Sequence, residues 1–236
     1  MCTVTYIPSV SGKPFVLTSN RDEKAYRPTQ PPAGYQHGDL KLTYPKDKKA
    51  GGSWIAVNEN GKVACLLNGA FVLHKKQDVH VISRGTILVG FTASEKNSHE
   101  YFSGKDLSGV EPFTVVSIDY KNSIVQDFTE FVWDGQDKHF RQLNSNSPYI
   151  WSSVTLYDEE HRSMRKEWFV KFYKENKAFM TSGKILGFHS EKHTGNDAVN
   201  VIMQREGGLK TVSITQVTPD DVKLKMQYTD LVKHSL

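Results

Sequence analysis

The chain has 236 residues, room for one large domain or two small ones and enough to bury a core without disulfide staples. Hydrophobic residues make up 38%, charged residues 24% and aromatics 11%, a soluble globular mix that argues against disorder. Lys plus Arg number 30 against 26 Asp plus Glu, a net charge of +4 that is too mild and too dispersed to point to nucleic acid.

The run Cys2 to Pro8 alternates and predicts a first strand, Ser9 to Gly12 a turn, and Pro14 to Thr18 a second strand. The polar run Asn20-Arg21-Asp22-Glu23 leaves that second strand. Pro28 to Gly52, rich in Pro, Gly and Lys, reads as a long loop. Its lysines at 46, 48 and 49 are interrupted by Asp47 and lack interleaved aromatics, as in a solvated loop. Ser53 to Asn58 and Lys62 to Asn68 form a hairpin around Asn60-Gly61, the strongest short hairpin signal. The longest nearly apolar run, Val63 to Leu73, is too short to span a bilayer. Ile82 to Phe102 carries loose helical spacing. Phe113 to Tyr120 and Ser123 to Thr129 form a third hairpin.

Asp158 to Ala178 predicts a long helix with Met164, Trp168 and Phe172 on one side, acidic residues at its start and lysines at its end. Thr211 to Val217 and Val222 to Tyr228 close the chain, the latter burying Val222, Leu224, Met226 and Tyr228. Strands in runs with helices grouped between them predict an α+β fold with antiparallel sheets in a single domain. The first residues lack the basic region and apolar stretch of a secretion signal, so a soluble cytoplasmic protein without a transmembrane segment is expected.

Two cysteines make neither a disulfide framework nor a zinc set, but Cys2 follows the initiator Met1. Removal of Met1 would put a thiol and a free α-amine on one residue, titrating near ~8.5 and ~7.7–8. The amine can then activate its own side chain. On two residues alone, an ordinary cysteine beside the start is the simpler reading. The surroundings alter it. A turn between Ser9 and Gly12 makes facing residues sum to 21 or 22, which sets Cys2 opposite Ser19-Asn20 and beside the polar run. There Asp22 could hold the ammonium and Arg21 could lower the thiol pKa or bind an anionic group. The competing reading of the run is a solvated loop with a local ion pair.

Asn68 ends an apolar strand and, by the same arithmetic, faces Gly52 beside Gly51, where a substrate or another backbone can approach closely. An asparagine amide there can donate to an oxyanion; a turn asparagine bonding its own backbone is the alternative. Cys65 reads as core.

Met1-Cys2-Thr3, Thr18-Ser19-Asn20-Arg21-Asp22-Glu23, Arg27-Pro28, Gly51-Gly52-Ser53-Trp54, Leu67-Asn68 and Ser83-Arg84-Gly85 together resemble the NRDE family, also called the transport and Golgi organisation two family. The match runs in order over most of the chain. Asn144-Ser145-Asn146-Ser147-Pro148 looks like that family's Ser-Asn-Ser element. The family is similar to N-terminal nucleophile hydrolases, especially the choloylglycine hydrolase and penicillin V acylase branch. The resemblance implies a four-layer αββα sandwich of two mainly antiparallel sheets, and attack by a terminal thiolate on a small amide or thioester. It implies Cys2 as nucleophile with its amine as base, Asp22 orienting the amine, Asn68 as oxyanion donor and Asn146 as the later asparagine. Asn20, Arg21, Glu23 and Gly52 would then line the substrate.

Two departures stand out. Ser19 occupies the place of the acylase branch's arginine three residues before the aspartate, and the late arginine has only Arg205 or Lys210 as candidates. Arg21 and Asp22, being adjacent in a strand, would point to opposite faces. The resemblance also implies a second possibility, since family members are linked to haem and to acyl-CoA or lipid handling. That is a carrier using the same cleft without turnover.

Ser163-Met164-Arg165-Lys166 matches the serine acyl-enzyme spacing but sits on a charged helix without companion motifs, so a surface helix is expected. His189 and His193 have metal-binding spacing, but the surrounding glycines favour a loop. No metal and no resident cofactor is expected.

Overall fold

Short turns set the architecture of the computed structural model, which describes residues 3–74, 82–220 and 223–232. β1 (Thr3–Val10) and β2 (Lys13–Lys24) meet at Ser11-Gly12, both at positive φ. That turn follows the natural twist of a hairpin. β5 (Ile55–Asn58) and β6 (Lys62–Asn68) turn at Gly61, and β7 (Phe113–Lys121) and β8 (Ile124–Trp133) turn at Asn122-Ser123. These hairpins agree with the sequence reading.

The expected loop from Pro28 to Gly52 is instead a hairpin of β3 (Thr29–His37) and β4 (Leu40–Asp47). Pro31 and Pro32 fall where the pairing register shifts, and β3 is an edge strand. A proline is tolerated there because its missing N–H faces no partner. β9 (Lys138–Gln142), β10 (Tyr149–Ser152), β11 (Leu209–Asp220) and β12 (Lys223–Asp230) complete the strands. Val222 lies outside the described residues; Leu224, Met226 and Tyr228 are half-buried against the central core.

The helical stretch expected over Ile82 to Phe102 is two helices, α1 (Arg84–Thr92) and α2 (Ser98–Ser103). Asn97 stops continuity by capping the Glu100 N–H while Glu100 caps Asn97 in return. α3 (Glu159–Asn176) matches its prediction, although its fully covered residues are Arg165 and Phe169. α4 (Ser182–Ser190) was hidden in sequence by its glycines; Thr181 caps it and Ile185, Phe188 and His189 are buried.

All pairings between named strands are antiparallel, in a sheet ordered β10-β1-β2-β11-β12 and another ordered β3-β4-β5-β6-β7-β8-β9. Val4, Tyr6, Phe15 and Leu17 of the first sheet pack on Val57, Cys65, Val116 and Phe128 of the second. The outer face of the first sheet buries Ile7 and Val16 under Phe169 of α3 and Ile185 and Phe188 of α4. The outer face of the second buries Leu66, Val115 and Phe131 under Leu88 and Phe91 of α1 and Phe102 of α2. The layers are therefore α, β, β, α, the expected sandwich. Among the described residues no helix is long and apolar enough to cross a membrane.

Candidate functional site

The β1–β2 register pairs Thr3 with Asn20 and Val10 with Lys13. Facing residues sum to 23 rather than 21 or 22. β2 also does not end before the polar run. It continues to Lys24, and Asn20, Arg21, Asp22 and Glu23 pair with Ile214, Ser213, Thr211 and Lys210 of β11. The run is thus strand, not loop, with a bulge in β11 directly opposite it. Cys2 itself lies outside the described residues.

Strand alternation splits the run between the two faces of the sheet. Asn20 and Asp22 point to the helical layer. Asn20 is fully buried; its amide donates to the carbonyls of His189 (3.0 Å) and Val201 (2.8 Å), and its oxygen accepts from His189 Nδ1 (2.7 Å). With Nδ1 the donor, His189 Nε2 accepts from the Thr5 hydroxyl at 2.8 Å. Asn20 is therefore engaged in fastening β2 to α4, not in lining a cleft. Both ring nitrogens of His189 are occupied as well, and α4 takes His189 into a helix that ends at Ser190 while His193 lies in the expected loop, so the His189–His193 spacing makes no metal site.

The Asp22 carboxylate accepts from the Tyr157 hydroxyl (2.9 Å) and the Thr211 hydroxyl (2.6 Å). The Arg165 guanidinium lies 3.5 Å over the Tyr157 ring. Arg165 is completely buried and donates to the carbonyls of Val199 and Asn200 and to the Thr3 hydroxyl. A chain of contacts, Asp22 to Tyr157 to Arg165 to Thr3, so holds the residue that follows Cys2. Tyr157, Arg165 and Thr211 escaped sequence reading. One signal was available for Arg165, an arginine in register with Phe169 and Phe172 on the apolar stripe of a helix.

Arg21 and Glu23 point between the sheets. Arg21 pairs with Asp47 (2.7 Å), donates to the Thr29 hydroxyl (2.7 Å) and lies 4.4 Å over the Trp54 ring. Arg27 joins Asp47 (2.7 Å) and Glu23 (3.4 Å). Burial lowers the Arg21 pKa, an effect that Asp47 and Glu23 oppose. Arg21, Glu23, Arg27 and Asp47 line a cavity of about 150 Å³ that also includes Gly52, Trp54, Asn68 and Arg84. Gly52 serves a backbone approach: a Cβ there would lie 2.3 Å from the Gly85 carbonyl carbon.

Asn68 ends β6 and is shared by that cavity and a larger cleft of about 400 Å³. Leu67, Val132, Ile150 and Trp151 give the cleft apolar wall, and Thr114, Ser152 and Ser153 give it polar groups. Ser152 pairs with Thr3 across the β1–β10 ladder, and the next residue, Ser153, donates to the Asn68 carbonyl at 2.7 Å. Asn146 is not brought here. It is exposed in the loop before β10, beyond the Tyr6–Tyr149 pair and so at the opposite end of the β1–β10 ladder from Thr3. Arg205 is no late arginine of the cleft either; it donates to the carbonyls of Ala198 and Leu156. Cys65 is fully buried, and burial pushes its thiol up to about 12, as fits a core residue.

This arrangement can be set beside known proteins. The model of the family described as Transport and Golgi organisation 2 matches residues 1–218. The chain belongs to that family. Among curated proteins, none matches by sequence. Among solved structures, this family member is similar to the Caenorhabditis elegans ortholog of N-acylethanolamine-hydrolyzing acid amidase, at 11% identity and TM-score 0.61, covering 96% of this chain and 100% of that one. It is similar to a variant of conjugated bile acid hydrolase from Clostridium perfringens, at 10% identity and TM-score 0.55, covering 99% and 94%. Penicillin V acylase from Agrobacterium tumefaciens matches at 10% identity and TM-score 0.55, covering 98% and 87%. Likeness at this identity shows the fold, that of the N-terminal nucleophile hydrolases.

Proposed function

We propose that this family member is an N-terminal nucleophile-type hydrolase of a small amide or thioester, with Cys2 as nucleophile. One observation carries the reading: Ser152, the strand partner of Thr3, lines the 400 Å³ cleft, and the next residue, Ser153, is tied to Asn68 in the same lining. With Met1 removed, the Cys2 α-amine takes the thiol proton and the sulfur attacks the substrate carbonyl carbon. The amine then returns the proton to the departing amine or thiol, leaving a thioester on Cys2 that water hydrolyses. Asn68 donates to the oxyanion, a contribution of about 2.7–4 kcal/mol in the transition state. Asp22, steadied by Tyr157 and Thr211, supplies negative charge for the ammonium.

A thiol-directed acylating probe should label Cys2, with intact mass showing loss of Met1, and Cys2→Ser should abolish the label. Cys65, buried and with its pKa pushed up, does not compete for the probe. Unchanged labelling in the variant, or a purified chain still beginning with Met1, would sink the reading. The position of Asn146 away from the cleft favours a second reading, a carrier for haem or an acyl-CoA without turnover. In that case Cys2→Ala keeps ligand binding and no product appears on long incubation.

A further inference from the structure

Of the charged side chains on α3, only Arg165 is completely buried. Among the described residues no ion pair joins it to a carboxylate. Its donors go instead to the Val199 and Asn200 carbonyls and the Thr3 hydroxyl. Taking a guanidinium out of water is costly, and an apolar side chain on that stripe would fill the core without the cost. What Arg165 does that an apolar residue cannot is hold two groups around the start of the chain. One is direct, the hydroxyl of Thr3 on β1. The other runs through Tyr157, whose ring lies 3.5 Å under the guanidinium and whose hydroxyl donates to Asp22 on β2. A cation over the ring polarises the phenol and strengthens that bond. β1 and β2 are paired at this point, Thr3 with Asn20, and Thr3 pairs on its other side with Ser152 of the cleft lining.

We infer that Arg165 is a positioning residue for the terminal nucleophile: one buried guanidinium fixes the residue that follows Cys2 and, through Tyr157, the carboxylate assigned to the Cys2 amine. The inference rests on Cys2 being the nucleophile of the proposed function, and it adds the residue that keeps Cys2 in register with Asp22 and Asn68. Arg165 is covered on all sides and reaches the chemistry only through Thr3 and Tyr157. The serine acyl-enzyme spacing Ser163 to Lys166 thereby gains a different meaning, because the arginine inside it is the member that matters.

The test compares two reactions of Cys2 in the full-length protein, each followed by mass. Iodoacetamide alkylates the thiolate with loss of iodide, develops no oxyanion and needs no register with Asn68. An acylating probe passes through an oxyanion and needs that register. Arg165→Lys keeps the charge but loses the planar fork. Thr3→Val removes only the acceptor on β1, and Tyr157→Phe removes only the bond to Asp22. In each, acylation should slow by about tenfold or more, as for a nucleophile displaced by a fraction of an ångström, while alkylation stays within about threefold. Thr3→Ser, which restores the acceptor, should acylate at close to the native rate. If Arg165→Lys does not fold, the Thr3 and Tyr157 variants decide. Variants acylated at the native rate, or acylation and alkylation falling together as in a general loosening, would overturn the inference alone. A native chain that is alkylated but not acylated sinks the hydrolase reading and the inference with it.

Discussion

His189 is fully buried, and burial together with the neighbouring Arg165 charge pushes its pKa down to about 3. It is neutral in the folded chain, where Thr5 and Asn20 satisfy its nitrogens, and His193 is the other titratable group facing it. In the unfolded chain a histidine titrates near ~6.5. Below that pH the unfolded state takes up a proton that the folded state refuses, so stability falls as pH drops from about 6.5 toward 3. His189 alone should cost about 2 kcal/mol between pH 7 and pH 5. Urea denaturation at the two pH values should show that decline in the native protein and a shallower one in His189→Gln; equal slopes would reject the assignment. The Asn20-Arg21-Asp22-Glu23 run stood out in sequence as four polar residues in succession, but their duties did not. Asn20 is spent on His189 and Arg21 on Asp47, partners that lie 169 and 26 positions away. No local pattern marks a hydrogen bond of that span.

Elements were legible wherever a turn or a period was intrinsic to the segment. The Asn60-Gly61 hairpin, the Lys121-Asn122 hairpin and α3 are such cases. They failed where a tertiary neighbour overrode local preference. The β3–β4 hairpin carries Pro31 and Pro32, which read as breakers until β3 is known to be a sheet edge. α4 tolerates Gly183 and Gly187 because Ile185 and Phe188 are buried beneath it against Val16 and Val201. Gly52 shows the same dependence. Its contact joins the segment after β4 to the first turn of α1, where Ser53 N–H donates to the Gly85 carbonyl at 3.3 Å. Gly52→Ala would drive a methyl to within 2.5 Å of the Thr86 nitrogen as well as into Gly85, both of them backbone. The expected cost is about 1–3 kcal/mol, as for other overpacked sites, read as a lowered Tm. An unchanged Tm would mean that the contact is loose.

Across the whole molecule, Arg21 on β2 and Asp47 on β4 tie one sheet to the other at the end of the sandwich that holds Asn68. Burial alone would raise the Asp47 pKa, but the Ala50 N–H and the Arg27 and Arg21 guanidiniums outweigh it and hold the carboxyl below its ordinary range. Its contribution is therefore complete above the ordinary carboxylate pKa and lost as pH falls through the lower folded value. Asp47→Asn leaves Arg21, only 3% exposed, without its charge partner. A loss of about 3–5 kcal/mol in urea denaturation is expected; a loss below ~1 kcal/mol would show that Glu23 and the Trp54 face compensate.

The amino-acid sequence by itself determined the antiparallel α+β character, most of the hairpins, the long charged helix and the family, because turns, periods and short motifs are carried by neighbouring residues. Only the tertiary structure decided that Asp22 meets Tyr157 and Thr211, that Arg165 reaches Thr3, and that Asn146 lies away from the cleft. Those side chains come from strands and helices far apart in the chain, and the packing of two sheets with their helices is what makes them neighbours.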